Sequence, residues 1–333
     1  MNMAFFEVRE EEKEIIRGAF PGHKLKIYDY PLSESNIDEV ENCDIISTFI
    51  YSKVNSNILK RLPNVKLITT RSTGFEHIDL DFAKARKIEV KNVPSYGESC
   101  VAEYTFSLIL SIVKKIRLSS EKTRKRNFSL DGLQGQELKG KTLGVIGTGA
   151  IGLKVIKIAK AFEMDILAYD IKENLEASRN LNFSYTSLKN LLKSSDIISL
   201  HVPAAPETKH IINKNAISQF KPQAILINTA RGDLINTLDL VKALQEKKLS
   251  GAALDVLENE SFIKEKPNFL TPEIKALLEM ENVIITPHNA FNTLESNKKI
   301  LDCTIESINN FISNSAAQMP LSQMIKPGAI IND

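Results

Sequence analysis

Arg231, Glu260 and His288 are the side chains whose types, taken together, suit one reaction. Each follows a short apolar run. Ala224-Ile-Leu-Ile-Asn-Thr-Ala230 leads to Arg231-Gly232, Ala252-Ala-Leu-Asp-Val256 leads to the acidic loop Leu257-Glu-Asn-Glu-Ser261, and Val283-Ile-Ile-Thr-Pro287 leads to His288. A guanidinium offers a planar, two-pronged fork for a carboxylate and its neighbouring carbonyl oxygen, which lysine cannot copy. An imidazole titrates in the range where it can protonate an oxygen that becomes a hydroxyl. A carboxylate on the other ring nitrogen fixes the ring and favours its protonated form; Glu260 is the candidate. The set suits reduction of a 2-oxo acid, with hydride coming from a cofactor. Singly, each residue has a plainer use. Arg231 could cap a turn, Pro287-His288 could be a turn with a satisfied histidine, and Glu258 and Glu260 could be solvated loop charges.

A hydride carrier has an obvious seat in Thr142-Leu-Gly-Val-Ile-Gly-Thr-Gly-Ala-Ile-Gly152. The pattern is a buried strand, a glycine turn and a helix, with Gly147, Gly149 and Gly152 in G-x-G-x-x-G spacing. The first glycine permits a tight turn, the second lets backbone approach a pyrophosphate, and the third lets helix and strand pack closely. A second run, Asp165-Ile-Leu-Ala-Tyr-Asp170, ends on an acid about 20 residues further on, placed to accept ribose hydroxyls. Asp170 would repel a 2′-phosphate, so the expected cofactor is NAD rather than NADP.

The elements that must carry these residues read as α/β. The first ~100 residues alternate apolar runs (Met3–Val8, Lys24–Tyr28, Asp44–Ile50, Lys66–Thr70, Ile88–Val93) with helical stretches such as Ser56–Arg61 and Asp79–Ala85, which predicts a parallel sheet. A long apolar helix follows from near Ser99 to Val113. Six further strands are expected at Leu143–Gly147, Ile166–Asp170, Ile197–Val202, Ala224–Thr229, Ala252–Val256 and Val283–Thr286, the doubly wound pattern. Ligands in such sheets lie beyond the carboxyl ends of the strands, where all the candidates fall. A last helix, roughly Leu294 to Ile312, could return to the first domain. The expected architecture is two Rossmann-like or flavodoxin-like domains of doubly wound parallel sheet with a cleft between them: 1–100 for substrate, 101–291 for NAD, and 292–333 as a C-terminal helix and tail.

Composition narrows the class. At 333 residues the chain exceeds one comfortable core. A net charge of +2 points to neither nucleic acid nor a membrane surface. No apolar run reaches the ~18 residues of a membrane span, and the N-terminus does not read as a signal peptide. Cys43, Cys100 and Cys303, odd in number and far apart, make no disulfide framework and fit a reducing cytoplasm. No cysteine–histidine cluster has metal-ligand spacing. The basic run Lys114–Arg126 lacks interleaved aromatics and reads as a solvated helix end near the C-terminal dipole. His201 could border the nicotinamide, whereas His23, His77 and His210 read as structural or exposed.

Almost the whole chain resembles the D-isomer-specific 2-hydroxyacid dehydrogenases, closest to the D-lactate dehydrogenase branch. The blocks that carry the resemblance are Thr70-Arg-Ser-Thr-Gly-Phe-Glu-His-Ile-Asp79, Asn92-Val-Pro-Ser-Tyr-Gly-Glu-Ser-Cys-Val-Ala-Glu103, Gly147–Gly152, Leu200–Pro203, Ile227–Gly232, Leu254–Glu260 and Ile285–Phe291. It implies that Arg231 orients substrate, Glu260 pairs with the imidazole and His288 is the acid/base. It further implies that backbone amides of Thr73 and Gly74 hold the substrate carboxylate, Tyr51 and Tyr96 close the pocket, and Phe291 lines it. On the cofactor side it implies Ala150 and Ile151 at the pyrophosphate, Asp170 at the ribose, and Val202, Pro203, Thr229, Ala230 and Asp255 along the rest of NAD. A homodimer assembled through the nucleotide-binding domains is implied as well. Three departures bear on the pocket: Thr73 stands where valine is usual, Gly97-Glu98 follows Tyr96 in place of Ser-Pro, and Asn292 stands where tyrosine often follows the phenylalanine. The activity implied is NAD-dependent interconversion of a 2-oxo acid and its D-2-hydroxy acid, pyruvate and D-lactate first. Glyoxylate, hydroxypyruvate or a larger branched or aromatic 2-oxo acid is the alternative substrate. A non-catalytic NADH-sensing, corepressor-like binding protein is the alternative class.

Overall fold

The computed structural model describes residues 1–265 and 269–317. The chain divides into two compact units, one of Met1–Tyr96 with the chain from Leu294 onward, the other of Gly97–Thr293.

The first unit is built on five parallel strands: β1 (Asn2–Phe5), β2 (Lys24–Ile27), β3 (Ile45–Thr48), β4 (Leu67–Thr70) and β5 (Glu89–Lys91), in the order β2-β1-β3-β4-β5. That is the flavodoxin-like order. The central strands β3 and β4 are buried at every position, which is why they read as apolar or β-branched runs apart from Ser47. The edge strands β2 and β5 carry lysine and glutamate, which discourage pairing with another chain. Asn55 and Asp79 start the two short helices by accepting from the N–H of Ile58 and Phe82, each at 3.0 Å. Helix Leu294–Ala317 lays Leu301 and Ile308 on Met3, Phe5, Ile16, Phe20, Ile45 and Leu67.

The second unit carries seven parallel strands, one more than the sequence suggested: β6 (Thr142–Ile146), β7 (Asp165–Tyr169), β8 (Ser184–Tyr185), β9 (Ile197–Leu200), β10 (Ala224–Asn228), β11 (Leu249–Leu254) and β12 (Val283–Ile285). Their order is β12-β11-β10-β9-β6-β7-β8. The unforeseen β8 is a two-residue edge, too short to show an alternating pattern. Chain order reverses between β6 and β9, the switch point beside which such sheets bind ligands. Alternate residues feed two cores: Leu226 and Leu254 face one, Ile225, Ile227 and Ala253 the other. The basic run does end a helix without buried residues, with Lys122 and Arg124 in its last turn, but that helix is separate from the long apolar one. Helix Glu98–Val113 stops, Lys115 turns left-handed at φ 53, and a separate helix Ile116–Arg124 carries most of the run.

Candidate active site

The glycine loop is shaped by what cannot fit. Gly147 sits at φ +96, and an added Cβ would lie 2.7 Å from the His201 carbonyl carbon and oxygen. At Gly152 an added Cβ would lie 2.0 Å from the Gly147 carbonyl oxygen, so close is the helix to the strand. Gly149 has the opposite surroundings: nothing lies within 4 Å of such a carbon. It also starts helix Ala150–Ala161 without a side-chain cap. The first-turn N–H groups, those of Ala150 and Ile151 among them, are left for an anion that the helix dipole favours.

Asp170 follows β7 at the rim of this loop. Its Oδ2 accepts from the Thr148 N–H at 2.6 Å and hydroxyl at 3.0 Å, and its Oδ1 from the Lys172 N–H at 3.0 Å. Burial opposes ionisation, but hydrogen bonds from Lys172 and Thr148 outweigh it and hold the carboxyl below the usual range. An ionised acid here can accept ribose hydroxyls and repel a 2′-phosphate. The loop and Asp170 together therefore fit NAD. Asp170→Ala is expected to cut the NADH-over-NADPH preference in kcat/KM by ~10-fold, the order of one charged hydrogen bond. Unchanged selectivity would place that contact elsewhere.

His201, after β9, contacts the Ser199 hydroxyl through Nε2 at 2.8 Å. Although part of the residue stays exposed, burial of the ring pushes its pKa from 6.5 down to about 3. The unfolded chain therefore takes up a proton near pH 6.5 that the folded chain refuses. Stability is full above that value and falls on acidification, by at most ~1.4 kcal/mol per pH unit from this group. Urea midpoints taken between about pH 7 and pH 5 should drop in the wild type and flatten in His201→Gln. An equal slope in both would assign the effect to other groups.

Three loops at the carboxyl ends of β10, β11 and β12 carry the proposed chemistry. At β10, the fully buried Asn228 folds the strand end back on itself, donating from Nδ2 to the Arg231 carbonyl at 2.8 Å and accepting from the Ala230 N–H at 3.0 Å. The Arg231 guanidinium donates to the Ala230 carbonyl at 2.8 Å. Thr229 meets the Thr105 hydroxyl at 2.9 Å, fixing the strand end to helix Glu98–Val113. Beyond β9, the Pro203 carbonyl accepts from Thr208, and Val202 packs on the Gly147 turn.

His288 is held left-handed at φ 54, with its N–H donating to the Asp255 carbonyl at 2.7 Å. Asp255, only 1% exposed, gives both carboxylate oxygens to the same loop. Oδ1 accepts from the Thr286 hydroxyl at 2.5 Å and the Asn289 N–H at 2.8 Å, and Oδ2 accepts from the Ala290 N–H at 2.8 Å. The His288 ring then meets Glu260, with Nδ1 2.5 Å from Oε1 and both side chains partly buried. Phe291 stands edge-on to the imidazole, its centroid 6.2 Å away.

In the first unit, Thr73 donates through its hydroxyl to the Val93 carbonyl at 3.0 Å, and its own carbonyl accepts from Asn92 at 2.7 Å. Ser72 closes the turn on the Gly74 carbonyl at 2.6 Å. Among the described residues, the N–H groups of Thr73 and Gly74 reach no acceptor. The Tyr51 N–H donates to Glu7 Oε1 at 2.9 Å, and the Tyr96 carbonyl accepts from Ser296 at 3.2 Å.

Sequence reasoning left Glu258, two residues before Glu260, as a possible solvated loop charge, and gave it no partner. Glu258 Oε1 lies 2.6 Å from His210 Nε2, and Oε2 accepts from the Thr237 N–H at 2.8 Å and hydroxyl at 2.5 Å. Asn259 between the two acids, left-handed at φ 57, was the available hint, because asparagine tolerates that conformation. All three cysteines are free thiols. Among the described residues there is no group of side chains that could hold a metal ion, and no helix long and apolar enough to cross a membrane.

The model of the NAD-binding domain of D-isomer-specific 2-hydroxyacid dehydrogenases matches residues 106–290, a stretch that contains the glycine loop, Asp170, Arg231, Glu260 and His288. The chain belongs to that family. As a D-2-hydroxyacid dehydrogenase it is an NAD-dependent oxidoreductase. It is similar to D-lactate dehydrogenase of Escherichia coli, at 33% identity over 93% of this chain and 96% of the relative. It is also similar to a glyoxylate reductase of Thermofilum pendens, at 35% identity over 87% and 84%. A crystal structure of D-lactate dehydrogenase from Aquifex aeolicus, complexed with NAD and lactic acid, superposes with a TM-score of 0.88 at 40% identity, covering 96% of this chain and 97% of that one. Two parallel sheets flanked by helices are thus shared by this dehydrogenase and its solved relatives.

Proposed function

We propose that this dehydrogenase interconverts pyruvate and D-lactate, with His288 as acid/base, Glu260 as its carboxylate partner and Arg231 as the substrate cation. The observation that carries the chemistry is the contact of His288 Nδ1 with Glu260 at 2.5 Å. Because Glu260 occupies Nδ1, Nε2 is the nitrogen that gives a proton to the carbonyl oxygen in reduction and takes it back in oxidation. Bound NADH supplies the hydride. The guanidinium of Arg231 binds the substrate carboxylate and stabilises charge developing on the carbonyl oxygen.

The remaining roles follow the family pattern. Thr73 and Gly74 offer their N–H groups to the substrate carboxylate, while Tyr51, Tyr96 and Phe291 bound its side chain. Gly147, Gly149, Ala150, Ile151 and Gly152 take the pyrophosphate, Asp170 the ribose, and Val202, Pro203, Thr229, Ala230 and Asp255 the rest of NAD. Support for pyruvate comes from the D-lactate dehydrogenases among the relatives, one of them solved with lactic acid. The glyoxylate reductase among them keeps a smaller 2-oxo acid as the second reading. A panel of 2-oxo acids with NADH, and both enantiomers of each hydroxy acid with NAD, decides between them. Fastest turnover on glyoxylate, hydroxypyruvate or a bulkier acid would displace pyruvate.

The assembly we propose is a homodimer formed through the second unit. Large apolar side chains stand exposed there at Ile116, Phe128 and Leu130, at 55%, 78% and 82%, and a dimer interface would remove them from water. Sedimentation velocity reads the mass directly, and a monomer at micromolar concentration would remove the proposal. Free thiols at Cys43, Cys100 and Cys303 favour a reducing cytoplasm as its setting.

A further inference from the structure

Glu258 lies in the turn after β11 and Glu260 opens the helix Glu260–Glu265 that follows, yet the two acids have different partners. The left-handed Asn259 reverses the chain between them, so Glu260 reaches His288 while Glu258 reaches His210 and Thr237. Both partners of Glu258 belong to the surroundings of Arg231. Thr237 begins the helix Thr237–Gln245, six residues after Arg231. The His210 segment is stitched to the intervening stretch: the His210 N–H donates to the Asp233 carbonyl at 2.8 Å, that of Ile212 to Leu234 at 3.0 Å, and that of Asn236 to Ile212 at 2.9 Å. The two loops also interlock through backbone. A Cβ added to Gly232 would lie 2.1 Å from the carbonyl carbon and oxygen of Leu257 and 2.6 Å from the Glu258 nitrogen. Only a glycine next to Arg231 lets the acidic loop come this near.

We propose that Glu258, gripped by His210 and Thr237, is a positioning residue that locks the Glu260 loop to the Arg231 loop and so delivers Glu260 to His288. The proposal rests on the catalytic roles assigned above to Glu260 and His288. Glu258 touches neither substrate nor cofactor; it acts through Glu260. Its carboxylate suits the task. Burial resists its ionisation, but the hydrogen bonds from Thr237 and His210 prevail and hold its pKa below the ordinary range. A charged acceptor with three donors around it is a stiff joint between two loops.

A double-mutant cycle separates positioning from general support of the fold. Turnover of NADH with a 2-oxo acid that the wild type reduces is measured for Glu258→Ala, Glu260→Gln and the pair, at a temperature well below melting. Glu258→Ala is expected to lower kcat ~10-fold in the wild-type background, in line with a small misplacement of a catalytic group. Once Glu260 is already Gln, the same change should cost less than about twofold, while the NADH dissociation constant from fluorescence titration stays within about twofold throughout. Glu258→Gln, which keeps one acceptor, should recover part of the loss. Where Glu258→Ala does not fold, Thr237→Val removes a single donor and takes its place in the cycle. An equal loss in both backgrounds overturns the proposal, because Glu258 would then act independently of Glu260; so does wild-type kcat in the variant. Full turnover in Glu260→Gln alone is a different failure: it removes the catalytic assignment and takes the clamp with it.

Discussion

Replacing His288 by alanine is expected to lower kcat for 2-oxo acid reduction by at least ~10²-fold, the usual worth of a positioned proton donor. NADH affinity should change little. Glu260 holds Nδ1 at 2.5 Å, so the ring has one nitrogen left for the substrate oxygen. Phe291 fixes the ring plane from its edge. Without the imidazole, water must protonate the developing alkoxide, although hydride delivery and the cation at Arg231 remain. The loss should therefore sit in kcat. Single-turnover mixing of the NADH-loaded enzyme with substrate isolates the chemical step. Turnover within a few-fold of wild type would show that a different group supplies the proton.

Much of this arrangement could be read from residues alone, and for physical reasons. Strands buried on both faces, such as β9 and β10, are apolar runs with little polar interruption. Parallel strands need helical crossovers, so their order of appearance already implies doubly wound sheets. The glycines of the nucleotide loop are there because backbone crowds two of them and open space surrounds the third. Tertiary pairing was less legible. Glu260 could be picked as the partner of His288, but nothing in Leu257-Glu-Asn-Glu-Ser261 points Glu258 toward His210, a pair made only in the folded chain around the left-handed Asn259. The break at Lys115 was hidden for a related reason: a left-handed lysine looks like any other in a basic run. β8 escaped because pairing with β7, not an alternating pattern, makes two residues a strand. Asp255 shows the limit most plainly. Spacing does not show that its carboxylate bonds within the folded chain all go to the loop bearing His288.

Asp255→Asn is consequently expected to damage stability and catalysis together. The native carboxylate accepts from two backbone N–H groups and one hydroxyl in a site almost free of solvent. Asparagine presents one oxygen and one NH2. Whichever way the amide turns, a donor faces a donor, at Ala290 in one orientation or at Asn289 and Thr286 in the other. One buried N–H left without its charged acceptor costs about 2–3 kcal/mol, which should appear as an equal fall in unfolding free energy by urea titration. The same bonds keep His288 left-handed, a conformation a non-glycine residue holds only under outside constraint. As the loop relaxes, Nδ1 leaves Glu260 and Nε2 loses its aim. A displacement on the order of 1 Å at a reacting group costs ~10²-fold in rate. kcat should therefore fall by that factor at 25 °C, where the variant remains folded, with the Asp170-dependent preference for NADH intact. A variant that loses stability but keeps kcat would reduce Asp255 to an anchor for the loop, and the aim of His288 would then have to come from Glu260 alone.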